Sequence, residues 1–583
     1  MDQKRLILAI AISAFILLVY QVLMPHPPAR QQHQQQHQAA NEPVSSAAKL
    51  APLEGAPGQG APAPPQTEPP KSVPRLAISA PSVHGSISLV GARIDDLVLN
   101  DYRTSLDPNS PLVQLLAPRS EAKPYYVQYG WSAPSSISVK LPDNETLWKA
   151  SASALTATQP VTLSWDNGEG LTFEIVLSID EHYMFSVEQR VRNTGNAPVQ
   201  LYPWSRIRRD YTPVVSGYYI LFEGLLGVEE GRLEETTYAN TKSAAEKNSG
   251  IAFEKSADGG WAGITDKYWL TALVPDQQVP SKVTFRYISE NGDHYQVDYA
   301  AEQPQVIAPG AAASVASHMF AGAKVVDLLD RYEREYHIPS FDKAVDFGWF
   351  YFLTKPIFYA LDWLNKLFGN FGIAILVFTV FVKALFFPLA NYSYRSMSKM
   401  RLLGPKMQAM RERLKDDPAR MQQEMMALYK AEGVNPASGC LPMLIQIPVF
   451  FSLYKVIFVT IEMRQAPFFG WIRDLSQPDP TNVFNLLGLL PFDPAHYLPL
   501  LHLGVWPLIM GITMFLQQKL NPPPPDPMQA RMFQLMPVIF TFMLANMPAG
   551  LVIYWTWNNL LSIGQQWIIM RRTQLPKPNL AQT

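Results

Sequence analysis

A single cysteine, Cys440, stands among 583 residues, which excludes an intramolecular disulfide, a CxxC redox pair and a thiolate zinc cluster. Charge is scarce too. Asp, Glu, Lys and Arg make up 17% of the chain, against about 25% in a soluble protein. Neither sign dominates, since 48 basic residues face 49 acidic ones, so nothing global recruits nucleic acid or an anionic surface. The chain has no G-x-x-x-x-G-K-[ST] phosphate loop, no G-x-G-x-x-G after a strand, no H-E-x-x-H and no G-x-S-x-G. ATP-driven work and common hydrolytic chemistry therefore lack their usual machinery, and no catalytic residue, metal or cofactor is expected. What is abundant is proline, with 51 residues. Low charge and many prolines together indicate a membrane protein with a disordered linker.

Long apolar runs are present. Residues 6–24 carry no charge, and at about 1.5 Å per residue they are long enough to cross a ~30 Å hydrocarbon core. Lys4 and Arg5 precede this run, and Pro25-His26-Pro27-Pro28 follows it where a signal peptide would show an A-x-A site. An uncleaved anchor over 1–24 is the better reading. Apolar segments return at 371–389, 441–461, 498–516, 532–547 and 551–569, which makes six expected spans. Loop 390–436 holds nine basic and five acidic residues, the tail 570–583 three basic and none acidic, and loop 462–497 two basic and four acidic. Positive segments stay cytoplasmic, so both ends are expected there. A re-entrant hairpin around Pro548-Ala549-Gly550 remains the alternative for the last pair.

Residues 25–75 contain twelve prolines among Ala, Gln, Gly and Ser, a tether that cannot offset its ordering entropy. From 76 to 325 the pattern turns to period-2 alternation of Val, Ile, Phe and Tyr, which reads as an all-β sandwich outside the membrane. Val283, Phe285 and Tyr287 alternate up to Asn291-Gly292, and Tyr295, Val297 and Tyr299 alternate away from it, a hairpin with a turn that needs positive φ. Segments 171–179 and 183–191 read the same way. His84, His182, His294 and His318 share no spacing that would join them on one metal, so solvated or structural roles suit them better. In the connector 326–370, residues 341–368 place Leu353, Ile357, Leu361, Leu364 and Phe368 at helical spacing beside Trp349, Tyr351, Tyr359 and Trp363. That pattern fits an amphipathic helix in the outer interface, with packing on the β domain as the alternative.

The segment 371–389 contains Lys383, and a lysine at a helix centre costs about 2.5–3.5 kcal/mol on insertion scales. Snorkelling toward the near end is one reading; Thr379, one turn earlier on the same face, favours a polar face instead. In the last segment Tyr554, Asn558, Ser562 and Gln565 recur along one stripe, next to Trp555. Gln446, Gln534 and Asn546 add amides on two further segments. Interhelical glue worth ~0.6–2 kcal/mol each would explain one or two of these groups; a lysine with so many polar companions points to a hydrated recess between helices.

Loop 390–436 reads as a helical hairpin, with Leu403, Met407, Met410 and Leu414 on one edge and Asp417-Pro418 opening the second helix. Its basic residues, among them Arg395, Lys399 and Arg411, satisfy the topology rule and attract anionic lipid. Its methionines, Met407, Met410, Met421 and Met425 included, suit transient contact with varied apolar peptide segments.

Segments QEMMALYKAEGVNPASGCLPMLIQIPVF (423–450), RQAPFFGWIRDLSQPDP (464–480), DPMQ (526–529), MPVIF (536–540) and GLVIYW (550–555) resemble, in the same order, the YidC membrane-protein insertases. The anchor and β domain resemble the layout of the Gram-negative form. This resemblance implies a polytopic α-helical inner-membrane protein. Five spans would form an insertase core over 371–569, and the periplasmic domain would be an all-β supersandwich similar to sugar mutarotases. It further implies a positively charged groove, open to cytoplasm and lipid, with Lys383, Thr379, Gln446, Tyr554, Trp555 and Asn558 as its expected residues. Lys383 falls where many members carry an essential Arg, so charge is kept while bidentate hydrogen bonding is lost. Trp555 falls where some relatives have tyrosine. Nascent membrane proteins, the ribosome and the Sec translocon are the implied partners, with nucleic acid met only through the ribosome. A secondary transporter using Lys383 as a solute or proton site is the main rival; it predicts inverted repeats, and none is seen between 371–461 and 498–569. An envelope scaffold led by the β domain is a second rival, and it leaves the polar membrane segments unexplained.

Overall fold

The computed structural model describes residues 73–572, except 217–219, 415–416, 436–440, 491, 493–494, 496, 499–500 and 522–526. The expected anchor, most of the expected linker and the end of the tail lie outside the described residues. Among the described residues two compact units emerge, 73–346 with Val459–Glu462, and the helical remainder from Phe347 onward.

The first unit is built from strands whose sequence alternates as a half-buried surface requires. Leu171–Ile179 buries every odd residue and pairs on both sides, with Val161–Asp166 and Met184–Asn193. Pro280–Ile288 and His294–Ala301 form the expected hairpin, closing at Ile288 opposite His294, with Asn291 at φ 58° and Gly292 at φ 144°. The strands assemble into one sheet of eleven and one of nine, nearly all antiparallel. The sheets face each other across an apolar core. Trp131 of one meets Phe173 of the other edge-on at 5.1 Å, and Gln189 crosses the core to donate to the Gly130 carbonyl at 2.8 Å. Arg209, fully buried, forms a two-pronged pair with Asp266 at 2.7 and 2.8 Å and lies 4.1 Å over the Tyr125 ring.

The helical unit contains α1 (Tyr351–Phe368), α2 (Phe371–Leu385), α3 (Phe387–Leu402), α4 (Gly404–Arg413), α5 (Pro418–Ala431), α6 (Leu441–Val459), α7 (Val505–Leu520), α8 (Pro527–Met543) and α9 (Ala549–Arg572). Among the described residues no single helix is long and apolar enough to cross a membrane. The pair α2 and α3, bent by 67°, meets that requirement together. The five expected apolar segments after residue 370 are largely helical among the described residues, but the boundaries move for local reasons. The segment 371–389 breaks at Phe386, whose N–H closes α2 on Val382, and Pro388 opens α3. In the segment 498–516 the α-helix starts at Val505 after the N-cap Gly504, where the distant Asp479 side chain supplies the capping acceptor, taking the Trp506 N–H at 2.9 Å. Gly504 permits that approach, since a Cβ there would lie 2.6 Å from the Asp479 side chain. At the last turn, the Ala549 and Gly550 N–H groups donate to the Gln477 and Leu475 carbonyls, so the start of α9 is satisfied without water.

The expected helix over 341–368 begins later, at Tyr351, after a short turn at Phe341–Ala344 and Gly348 at φ 72°. Ile357, Leu361 and Leu364 of α1 are buried, whereas Phe352, Trp363 and Leu367 are exposed on the other side. The helix is therefore apolar on two faces.

Candidate functional site

The site is assembled from α2, α3, α6 and α9. Asn370 caps α2 by accepting from the Ile373 N–H at 3.1 Å, which sets the register that brings Lys383 into the last turn. A cation is favoured there by the helix dipole. The Lys383 ammonium donates to the Ser562 hydroxyl at 2.7 Å, and that hydroxyl donates in turn to the Asn558 carbonyl at 2.8 Å. Among the described residues no carboxylate pairs with this lysine. Gln446 of α6 donates to the Tyr554 hydroxyl at 2.5 Å, tying α6 to α9. Between them lies a cavity of about 40 Å³ bordered by Lys383, Tyr394, Gln446, Gln565 and the apolar Val382 and Phe386, room for roughly one water.

The expected groove residues divide. Lys383 and Gln446 border one cavity, with Tyr554 joined to Gln446. Thr379 is buried and donates to its own helix at the Ile375 carbonyl, 2.6 Å, so its hydroxyl is spent within α2. Trp555 packs its ring against Phe450 at 4.7 Å and Phe540 at 5.7 Å, an aromatic contact joining α6, α8 and α9. Asn558 is buried and contributes its backbone carbonyl. Ser562, read in the sequence only as part of a stripe, is the direct partner of the lysine. A second bond between α2 and α9 had no sequence signal at all: the Trp557 indole donates to the Leu376 carbonyl at 3.1 Å.

In the hairpin Asp417 caps α5 through the Arg420 N–H at 3.0 Å, and Lys406 pairs with Glu432 at 2.9 Å while Arg413 and Arg420 share Glu424. Arg395 and Lys399 are exposed; Met410, Arg411, Met421 and Met425 are half-buried. Met407 is not a free surface group, because it packs on the cluster of Leu403, Tyr429 and Val434 and accepts from the Tyr429 hydroxyl at 3.7 Å. The well-exposed methionine is Met426, beside a 430 Å³ hollow with Tyr429, Lys430 and Asn435.

In the β unit the four histidines weighed as metal ligands have separate partners: Asn100 for His84, Ser82 for His182, Asp210 for His294 and Ser186 for His318. Burial lowers the pKa of His318. Asp330, Glu333 and Asp342 are, among the described residues, the acidic group close enough to share an ion, with ligand atoms within 4.8 Å of one another, Asp342 buried and the other two half-buried.

Residues 75–360 match the family model described as YidC periplasmic domain, and 363–577 match that of the 60Kd inner membrane protein. The membrane protein insertase YidC of Granulibacter bethesdensis is 62% identical over 100% of both chains. That of Acidiphilium cryptum is 54% identical over 98% of both. A solved structure titled as an active YidC insertase with the first transmembrane domain resolved is 18% identical with a TM-score of 0.34, covering 85% of this chain and 92% of that one. Full-length identity at this level, with both family models matched in order, means that the chain belongs to the YidC membrane protein insertases, inner-membrane proteins with a periplasmic domain.

Proposed function

We propose that the chain inserts nascent inner-membrane proteins, and helps them fold, through a cationic recess lined by Lys383, Gln446 and Gln565 and open to cytoplasm and lipid. The observation that carries this reading is an ammonium held by a hydroxyl, with no described carboxylate to neutralise it, beside a cavity that Tyr394, Gln446 and Gln565 line together with apolar side chains of an inner-membrane protein. In this reading the chain crosses the membrane six times with both termini cytoplasmic. The substrate arrives from the ribosome at the hairpin 390–436, where exposed Met426, Arg395 and Lys399 meet its apolar and acidic parts. Its polar outer segment enters the recess, where Lys383 attracts acidic residues and the amides replace lost water. The apolar stretch then partitions into lipid, each central Leu, Ile or Phe contributing about −0.3 to −0.6 kcal/mol. The membrane potential adds ~2.3 kcal/mol per 100 mV for each negative charge moved outward. No covalent step or nucleotide is needed, and the chain acts alone or alongside the Sec translocon.

The test is site-specific photocrosslinking from Val382, Gln446 and Gln565, which border the recess, during synthesis of a short inner-membrane protein in depleted cells. Adducts to ribosome-bound chains are expected. Saturable uptake of a small solute with no adducts would favour a transporter. Lys383→Glu should impair substrates with acidic outer tails several-fold more than substrates with neutral ones; equal insertion of both by that variant would count against electrostatic attraction.

A further inference from the structure

The segment between α6 and α7 contains a turn that the packing of the protein does not require. Val483–Gly488 is clasped at its base, with the Val483 N–H on the Leu503 carbonyl at 2.8 Å and the Asn482 side chain accepting from Phe484 at 3.0 Å and Leu503 at 3.4 Å. Within it Leu486 and Leu487 both have left-handed backbones, at φ 51° and 59°. This region suits glycine or asparagine and is a genuine outlier for a bulky side chain. A strained residue is usually repaid by contacts it makes inside the fold. Here the repayment is not inside: Leu486 is 55% exposed, Leu487 60% and Leu489 83%, with Phe484 beside them. Asn485 supports the geometry, its side chain accepting from the Gly488 N–H at 2.9 Å, so the leucines are held outward.

The charge pattern names what they meet. From Pro480 to Gly504, the stretch leading into α7, the sequence carries one ionisable acid, Asp493, and no Lys or Arg. A water-exposed loop of that length would be expected to carry several charges. Beyond the clasp at buried Leu503 the chain enters α7, where Leu508, Ile512, Phe515 and Leu516 are exposed, the kind of surface an inner-membrane protein turns to lipid. We propose that Phe484, Leu486, Leu487 and Leu489 form a wedge seated among the acyl chains of the leaflet at that end of α6 and α7, the outer leaflet in the topology proposed above. The left-handed pair turns successive leucines to one side of the turn, and the lipid they enter offsets the backbone strain. This inference rests on the helices being membrane spans and is independent of the recess at Lys383.

The experiment uses the full chain with Cys440→Ser, reconstituted in phosphatidylcholine and phosphatidylglycerol vesicles, and an environment-sensitive fluorophore attached singly through Leu489→Cys, Ile512→Cys or Asp107→Cys. Asp107 is an exposed β-domain position and reports water. The label at 489 is expected to be blue-shifted, quenched by acyl-brominated lipid to an extent close to that at 512, and several-fold less accessible to iodide than that at 107. Adding Leu486→Asn and Leu487→Asn should return the 489 label toward the behaviour at 107. Iodide access at 489 equal to that at 107 would overturn the wedge. Protection from both iodide and brominated lipid would overturn it too, since the cover would then be protein. Loss of lipid quenching at 512 as well would instead strike the assignment of α7 to the membrane.

Discussion

Glu229 and Lys324 are buried ionisable groups in the β unit, and their linkages to pH run in opposite directions. The Glu229 carboxyl accepts from the Tyr299 hydroxyl, while its other oxygen has no hydrogen-bond partner among the described residues. Burial raises its pKa from 4.5 to about 8, against the smaller opposing effect of that hydrogen bond. Between those values the folded chain keeps a proton that the unfolded chain releases, so this group's contribution to stability falls as pH rises from 4.5 through 8. Lys324, held by the Thr265 hydroxyl at 2.9 Å, is lowered by burial from 10.5 to about 8, and its contribution rises as pH climbs across that window. Glu229→Gln is therefore expected to slow hydrogen exchange of the strand Gly224–Glu229 at pH 8 several-fold and to leave it nearly unchanged at pH 5. Unchanged exchange at pH 8 would mean that the carboxylate is ionised in the folded chain at no cost.

At the scale of elements, the helices depend on side chains from other segments to satisfy backbone groups that their own ladders leave open. Pro537 in α8 has no N–H, which leaves the Phe533 carbonyl without its helical donor. Gln518 of α7 reaches across and supplies that bond. Gln518→Leu is expected to weaken the α7–α8 pairing by about 0.5–1.5 kcal/mol, because the Phe533 carbonyl loses its side-chain donor. Protease sensitivity of the detergent-purified protein should rise; no change would mean that another donor takes over. Gly511 allows the same two helices to approach closely, since a Cβ there would lie 2.0 Å from the Thr541 hydroxyl. The cap of α7 is a second case. Asp479 accepts from the N–H groups of Trp506 and Thr481, the Thr481 hydroxyl and the Trp471 indole. Asp479→Ala removes all of these acceptors from a buried position and should cost more than the ~1 kcal/mol of an exposed cap. Asp479→Asn should retain much of the stability, and equal thermal stability of the Ala variant would refute the cap.

For the whole molecule, the β unit has its own two-sheet core, with Trp131, Phe173, Trp261 and Phe285 fully buried. Residues 73–346 expressed alone are expected to give a cooperative thermal transition and a β-type circular dichroism spectrum; a molten spectrum would show that the core needs the helical unit. The sequence by itself determined what depends on near neighbours. Alternation specified the strands, Asn291-Gly292 the hairpin turn, Asp417-Pro418 the start of α5 and apolar runs the helical half, because propensity, turn chemistry and capping act within a few residues. Only the tertiary structure decided the distant partners. Lys383 meets Ser562 across 179 positions, Gln446 meets Tyr554 across 108, and the capping acceptor of α7 lies 27 residues before Trp506. Thr379 shared a helix face with Lys383 in the sequence, but its hydroxyl bonds its own backbone, since a threonine in a helix can always reach the carbonyl one turn back. Periodicity tells which face of a helix is polar; which group lies opposite depends on how the helices cross, and that is fixed by packing between segments far apart in the chain.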